Sequence, residues 1–193
     1  PPLMARAGLS PARVVAEAAA VADEVGLDGL TLAAVAERLG VRLPSLYKHV
    51  DGVDAIRREL ALLGLEELAS ALGRAAMGRT QRTALVDIAH AYRTFATERP
   101  GLYTATLRAP SADDEELTAR AQVVLDVAFA LTRSYGLEGE DAIHAIRILR
   151  SALHGFVTQQ AAGAFGLPES VDATFSRLID VLDVAFSSWS TTP

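Results

Sequence analysis

The segment RLPSLYKH, residues 42–49, gathers side chains that can bind a polyanion. Arg42 and Lys48 are cations, and Ser45 and His49 carry further hydrogen-bonding groups. When a short helix enters the major groove of DNA, small or donor-rich side chains of this kind contact phosphates and base edges. The chemistry that this segment indicates is therefore recognition of a nucleic acid.

Four apolar side chains of this region recur at the i, i+3, i+4 and i+7 spacing of a helix. They are Leu43, Leu46, Tyr47 and Val50. This spacing predicts that all four face inward. The remaining side chains would then point outward, with His49 near the boundary, and they are Arg42, Pro44, Ser45 and Lys48.

A helix–turn–helix could position this segment. Thr31 can cap a helix that runs to Gly40, where glycine tolerates the positive φ of a sharp reversal. Pro44 can open the next, short helix, since its fixed φ suits the first helical turn. An ordinary helical hairpin has the same spacing, so this pattern alone leaves both interpretations open.

The rest of the sequence is also typical of helices. Alternating β-branched runs with hairpin turns are missing, whereas apolar residues recur at helical spacing throughout. Ser10 and Pro11 predict the start of a first helix that ends at Gly26. Later helices are predicted at about 51–78, from 80 to the Arg-Pro-Gly at 99–101, at 140–162 and at 169–189.

Two shorter stretches complete this prediction. A turn is expected around 102–107, and the sequence APSADDEE at 109–116 is expected to lead into a helix. The carboxylates at 113–116 lie where the N-terminus of a helix favours negative charge. We therefore expect a helix start here and not an acid–base site.

Composition limits what the chain can do. The 193 residues are half hydrophobic, which is enough for a core, and they include no cysteine, which excludes disulfides and thiolate metal sites. No apolar run approaches about 20 residues and no export signal is evident, so we expect a cytoplasmic protein without a membrane span. Enzyme motifs such as Gly-x-Ser-x-Gly and His-Glu-x-x-His are missing, and the four histidines lack metal-ligand spacing. We expect no enzyme activity, cofactor or metal.

Charge is unevenly distributed along the chain. The net charge is −6, from 18 Lys and Arg against 24 Asp and Glu, which is unusual for a protein that binds nucleic acid. Residues 1–58 are neutral, however, and residues 38–58 carry five cations against Asp51 and Asp54. The sequence therefore permits a local basic face without proving one.

The sequence LTLAAVAERLGVRLPSLYKHV, preceded by the SPARVVAEAAAVADEVGLDG helix, resembles the DNA-binding domain of the TetR (tetracycline-repressor) family of bacterial regulators. The resemblance covers about residues 10–58 and is most specific in LGVRLPSLYKHV. It implies an all-α protein. A three-helix helix-turn-helix domain at 1–58 would precede a six-helix-type effector-binding and dimerisation domain at 59–193.

The resemblance also implies which residues contact DNA. Positions that meet DNA in the family are occupied here by Thr31, Arg42, Leu43, Pro44, Ser45, Tyr47, Lys48 and His49. Tyr47 and His49 would contact phosphates, and residues 43–45 would contact bases. One position departs from the family pattern, because Val53 stands where a phosphate-binding lysine is common.

The C-terminal half is similar to the WHG subtype of the family, although only His154 and Gly155 of the Trp-His-Gly signature are present. Five polar residues recur there at steps of three and four along one predicted helix. They are His144, Arg147, Ser151, His154 and Thr158. Such a stripe must meet water, a partner subunit or a ligand, because burying an unpaired polar group costs on the order of 1–3 kcal/mol. These alternatives stay open.

Two further sets of residues are candidates for binding. An effector pocket needs apolar walls and a few polar groups, and its candidate residues are Tyr92, Phe95, Tyr103, Phe129, Arg147 and Trp189. The last helix carries an apolar stripe of Val171, Phe175, Leu178, Leu182 and Phe186. If the last two helices of each chain formed a four-helix dimer interface, its candidates would be Ser151, His154, Thr158, Leu178, Leu182 and Phe186.

Together these features predict a homodimeric bacterial transcriptional regulator. We expect a repressor that a small molecule of unknown identity releases from a palindromic operator in double-stranded DNA. The alternative is a helical small-molecule carrier or scaffold protein that does not bind DNA, which the acidic composition slightly favours. Salt-dependent binding to duplex DNA would separate the two.

Overall fold

The computed structural model describes residues 9–111 and 113–189. The described residues form helices and no strand, so the predicted all-α fold is confirmed. The helices are α1 Pro11–Val25, α2 Leu32–Leu39, α3 Leu43–Leu46, α4 Val53–Ala76, α5 Gln81–Glu98, α6 Pro100–Ala105, α7 Glu115–Ser134, α8 Gly139–Ala161 and α9 Val171–Ser187.

The chain divides into two compact units. The first runs to Gly64 and includes Arg99–Ala109, and the second comprises Leu65–Glu98 and the residues from Pro110 onward. Helix α4 begins in the first unit and ends in the second. The predicted functional boundary after residue 58 lies within α4, and it remains a prediction about function.

The first unit is built around α1, whose ends lie where the sequence predicts. The Ser10 hydroxyl accepts a hydrogen bond of 3.3 Å from the N–H of Arg13, and Gly26 follows the helix with a φ of 80°. Fully buried side chains from the five helical segments of this unit form its core. They include Val14, Ala18, Val35, Leu46, Ile56, Leu60 and Leu102.

Helix α6 packs closely on α1 and stands where the sequence predicts only a turn. A Cβ atom on Gly101 would lie 2.3 Å from the backbone carbonyl carbon of Ala22, so the contact requires glycine. The Asp23 carboxylate accepts hydrogen bonds of 2.8 Å from the N–H of Gly101 and from Nε of Arg99. A carboxylate at the start of a helix stabilises it, which explains the helix at Pro100–Ala105.

The second unit contains the remaining turns of α4 together with α5, α7, α8 and α9. Phe175 and Phe186 of α9 are fully buried in it. The guanidinium carbon of Arg93 lies 4.7 Å from the ring centroid of Phe175, while the same group donates to Gln160 and pairs with Asp172 at 2.8 Å. With 16% of its side chain exposed, Arg93 is held by charge and by aromatic contact.

Two helices of the second unit begin with capping bonds. The Asp114 carboxylate accepts a hydrogen bond of 3.1 Å from the N–H of Leu117, and Glu115 and Glu116 lie in the first turn of α7. The predicted helix start at the carboxylate run is therefore confirmed. Ser170 caps α9 by accepting a hydrogen bond of 3.2 Å from a first-turn N–H.

Candidate nucleic-acid interface

The turn between α2 and α3 is fixed by its backbone. The Thr31 hydroxyl caps α2 by accepting a hydrogen bond of 3.2 Å from a first-turn N–H. Gly40 adopts a φ of 66°. The N–H groups of Gly40 and Val41 donate to the carbonyl oxygens of Glu37 and Ala36, each at 3.0 Å. A left-handed glycine thus closes α2 as the sequence predicts, and it directs the chain into α3.

Helix α3 is anchored by one side chain. Leu46 is fully buried, whereas Leu43 is 37% exposed and Tyr47 is 56% exposed. The prediction that Leu43 and Tyr47 face inward is therefore wrong. Tyr47 follows the end of α3 at Leu46, where the chain turns at 47–49, so the helical spacing does not continue to it. Leu43 is the first residue of this four-residue helix, which is anchored by Leu46. Both side chains and the exposed Pro44 are left at the surface.

Two exposed cations flank α3. Arg42 immediately precedes the helix, and Lys48 follows it in the turn. Neither side chain has an ion pair or a hydrogen bond to any residue in the part of the chain that the structure describes. Their charges are therefore available to an anionic partner.

Other cations of the predicted basic face are paired. Arg38 donates to Glu24 at 2.7 Å and to Glu17 at 3.0 Å, and these two carboxylates raise the pKa of Arg38 above its usual value. Arg57 pairs with Asp54 at 3.2 Å. Arg58 pairs with Glu59 at 3.3 Å. Among the described residues, the cations of this segment without an ionic partner thus lie at the two ends of α3.

The remaining predicted DNA contacts are also accessible. Thr31 is exposed, and Ser45 and His49 are half-buried. The capping bond of Thr31 uses a lone pair of its hydroxyl oxygen, so the hydroxyl hydrogen can still be donated to a phosphate. Val53 is the first residue of α4 and offers no side-chain donor.

The candidate effector residues are divided between the two units. Tyr103 lies on α6 of the first unit. Those of the second unit are Tyr92, Phe95, Phe129, Arg147 and Trp189. The two α5 aromatic side chains are buried, whereas Arg147 is exposed on α8. Trp189 donates its indole N–H to Asp141 at 3.0 Å, which gives the ring a structural role.

The polar stripe of α8 lies at the surface. Four of its five side chains are exposed, and His154 is half-buried. This placement agrees with a role towards water or a partner subunit, and it disagrees with a buried pocket. The alternative that Arg147 binds a ligand therefore loses support.

Two predicted dimer residues belong to the core instead. Leu182 and Phe186 are 4% and 1% exposed within a single chain, so the prediction that they form a dimer surface is wrong. Leu178 is half-buried. The exposed large apolar residues of α9 are Val181 and Val184, each 65% exposed. The signal that could have revealed them is their spacing of three, which places them together on a face away from the buried stripe.

Helix α8 carries exposed apolar side chains beside its polar stripe. Ile143 is 41% exposed and Ile148 is 45% exposed. Sequence reasoning selected the polar residues of α8 and missed these two, because isoleucine in an apolar helix is usually core.

The described residues, 9–111 and 113–189, show neither a metal-binding cluster nor a membrane-spanning helix. In these ranges no three His, Cys, Asp or Glu side chains are grouped to hold a metal ion. None of the described helices combines the length and the hydropathy that crossing a bilayer requires.

Comparison with known proteins relates this arrangement to one family. Residues 85–182 match the family model described as "Tetracyclin repressor-like, C-terminal domain". The chain is 39% identical over 166 residues to YobS of Bacillus subtilis, an uncharacterized HTH-type transcriptional regulator, and the match covers 86% of each chain. It is 37% identical over 174 residues to Rv0681 of Mycobacterium tuberculosis, another uncharacterized HTH-type transcriptional regulator, covering 90% of this chain and 79% of the relative.

Solved structures show the same architecture. A variant of TetR from Acinetobacter baumannii AYE in complex with minocycline has a TM-score of 0.68 and 25% sequence identity, covering 96% of this chain and all of that one. The similarity of the C-terminal half to the WHG subtype is not confirmed by these matches and stays a prediction. The relatives are transcriptional regulators and not enzymes, which also removes the support for a carrier or scaffold protein. The chain therefore belongs to the TetR family and is a DNA-binding transcriptional regulator with an N-terminal helix-turn-helix and a helical C-terminal domain.

Proposed function

We propose that this regulator is a homodimeric repressor that binds a palindromic operator and leaves it when a small molecule binds. The observation that carries the proposal is the exposure of Leu43, Pro44 and Tyr47 between the cations Arg42 and Lys48, which have no partner among the described residues. Cations supply salt-dependent attraction to phosphates, and outward side chains of a recognition helix contact base edges. Since a bacterial operator lies in the cytoplasm, this function places the protein there.

The size of α3 favours a dimer. A helix of four residues can contact only a few base pairs. Two copies related by a twofold axis would instead contact successive major grooves about 34–36 Å apart. An operator read in this way is a palindrome, because each half-site meets the same protein surface.

Exposed side chains of α8 and α9 support pairing of two chains. The large apolar members of this set are Ile143, Ile148, Val181 and Val184. Burying them between two chains would remove their apolar area from water, which stabilises the dimer. Two helices from each chain would form a four-helix interface, and the polar stripe residues Ser151, His154 and Thr158 would lie at or beside it.

We infer release by a small molecule from a structural relative that binds one. The TetR variant from Acinetobacter baumannii AYE was solved in complex with minocycline. Apolar and aromatic walls are what a small-molecule pocket needs, and the candidates in the second unit are Tyr92, Phe95 and Phe129. A ligand that binds better to a conformation with misplaced recognition helices lowers operator affinity by linkage.

Selection of bound sequences from a random duplex pool tests the proposal. We expect a palindrome whose half-site centres lie about one helical turn apart. In a gel shift with that operator, Tyr47→Ala should abolish binding while sedimentation still detects a dimer. The matched control is Val25→Ala, because Val25 of the first unit is also 56% exposed. Recovery of no enriched duplex, or wild-type affinity of Tyr47→Ala, would contradict the proposed function.

A further inference from the structure

The surface of α3 is poor in hydrogen-bonding groups. Leu43 and Pro44 have apolar side chains, and Pro44 also lacks a backbone N–H. The N–H of Ser45 is occupied by a hydrogen bond of 2.9 Å to the carbonyl oxygen of Arg42. Within α3, residues Leu43–Leu46, the Ser45 hydroxyl is therefore the one side-chain group that can hydrogen bond to a base.

An apolar surface restricts which base it can recognise. The four base pairs differ in the major groove by their donors and acceptors, but thymine also presents its C5-methyl group. A leucine placed against a polar base edge leaves that edge without a partner, which costs free energy. In unmodified DNA the thymine methyl is the base-edge group that apolar side chains can contact favourably.

We propose that Leu43, with Pro44 beside it, is a specificity-determining residue that selects a thymine in each operator half-site through its C5-methyl group. Leu43 is 37% exposed, so part of its side chain remains free for DNA. The fully buried Leu46 fixes the helix that carries Leu43. Arg42, which has no partner in residues 9–111 and 113–189, lies directly before Leu43, where it can bind a neighbouring phosphate. This inference rests on the proposed function, because it requires an operator.

The expected size of the effect follows from one buried methyl group. Removing a group of this size from water changes affinity roughly fourfold. A symmetric operator presents the thymine twice to a dimer, so replacing both should weaken binding about tenfold or slightly more.

Replacement of thymine by deoxyuridine removes only this methyl group and tests the inference. The probe is the operator recovered by the duplex selection, with one symmetric pair of thymines replaced at a time. For one pair we expect the wild-type protein to lose about tenfold in affinity. Leu43→Ala should bind the thymine and deoxyuridine operators alike, whereas Val25→Ala should discriminate between them as the wild type does.

A second variant keeps the test decisive if Leu43→Ala folds poorly. Glutamine can form two hydrogen bonds with adenine in the major groove. Leu43→Gln is therefore expected to prefer adenine over thymine at the same pair of positions, and a damaged protein could not acquire that preference.

The outcomes separate the two proposals. If wild-type protein binds the selected operator but every deoxyuridine operator equally well, thymine selection by the methyl group is wrong while the proposed function stands. If Leu43→Ala still loses about tenfold with deoxyuridine, another residue contacts the methyl group and the assignment to Leu43 is overturned. If no duplex is enriched at all, the proposed function fails and this inference falls with it.

Discussion

Helices α3 and α9 carry the same kind of apolar pattern and use it differently. Of the four apolar residues at helical spacing in and after α3, only Leu46 is fully buried. Of the five in α9, Phe175, Leu182 and Phe186 are buried. Helix α3 has four residues and α9 has 17, so α9 offers several turns over which an apolar stripe can pack.

The difference shows that apolar spacing predicts burial only in a helix that is long enough to pack along its length. In a short helix and directly after it the same residues, here Leu43 and Tyr47, remain available to a binding partner. Helix α9 also exposes Val181 and Val184, but these are additional to a buried stripe. The proposed DNA surface and the proposed dimer surface thus both consist partly of apolar residues that the fold of one chain does not bury.

The largest expected effect is on the free energy of unfolding, and it compares a residue of the buried α9 stripe with a residue of the proposed DNA surface. Phe175→Ala removes a fully buried ring, and we expect it to lower the free energy of unfolding by about 3–5 kcal/mol. Tyr47→Ala should change that free energy by no more than about 0.5 kcal/mol, because the ring is 56% exposed. Urea denaturation of both variants measures the contrast. A comparable loss for Tyr47→Ala would mean that Tyr47 is core.

The next largest expected effect is on the dimer dissociation constant, and it tests whether the exposed face of α9 contacts a partner chain. Val184→Glu would place a charge without a partner in the proposed dimer interface, and we expect the dimer dissociation constant to rise at least about 100-fold. Sedimentation over a range of concentrations measures it, and Met77→Glu is the control because Met77 is 77% exposed. An unchanged dimer in Val184→Glu would show that this face of α9 is simply solvated.

The smallest expected effect is on operator affinity, and it compares the loss of two different cations of the first unit. Lys48→Gln should weaken operator binding by about tenfold, because each chain loses one charge beside α3 that no described residue neutralises. Arg38→Gln should weaken it by less than about twofold, since Glu24 and Glu17 already neutralise Arg38. Affinities at one fixed salt concentration test this. Equal losses in both variants would mean that the ion pairs of Arg38 open when DNA binds.

Local signals in the sequence predicted the ends of several helices. The caps at Ser10 and Thr31 are confirmed, and so is the glycine that ends α2 at Gly40. Each cap depends on hydrogen bonds between residues three to five positions apart, so the neighbouring sequence contains all the partners. The ends of the two helices could be predicted for the same reason, whereas their interpretation as a helix-turn-helix also needed the resemblance of residues 10–58 to the TetR family.

Contacts between distant residues could not be predicted in this way. Helix α6 depends on Asp23, which lies 78 positions before the N–H of Gly101 that it binds. The charge of Arg38 is neutralised only because α1 brings Glu17 and Glu24 to it, so the sequence could not show which cations of the basic segment stay free. The exposed face of α9 was missed because spacing identifies an apolar stripe without identifying its partner.

The salt dependence of operator binding tests most directly whether the segment around α3 contacts DNA. The variant Arg42→Gln/Lys48→Gln removes from each chain the two exposed cations that flank α3, neither of which has a partner among the described residues. We predict that the slope of log Kd against log salt concentration falls by up to about 3.6 for the dimer, at roughly 0.9 per lost phosphate contact, with dimerisation unchanged. Identical slopes for the variant and the wild type would contradict the assignment of Arg42 and Lys48 to the phosphate backbone.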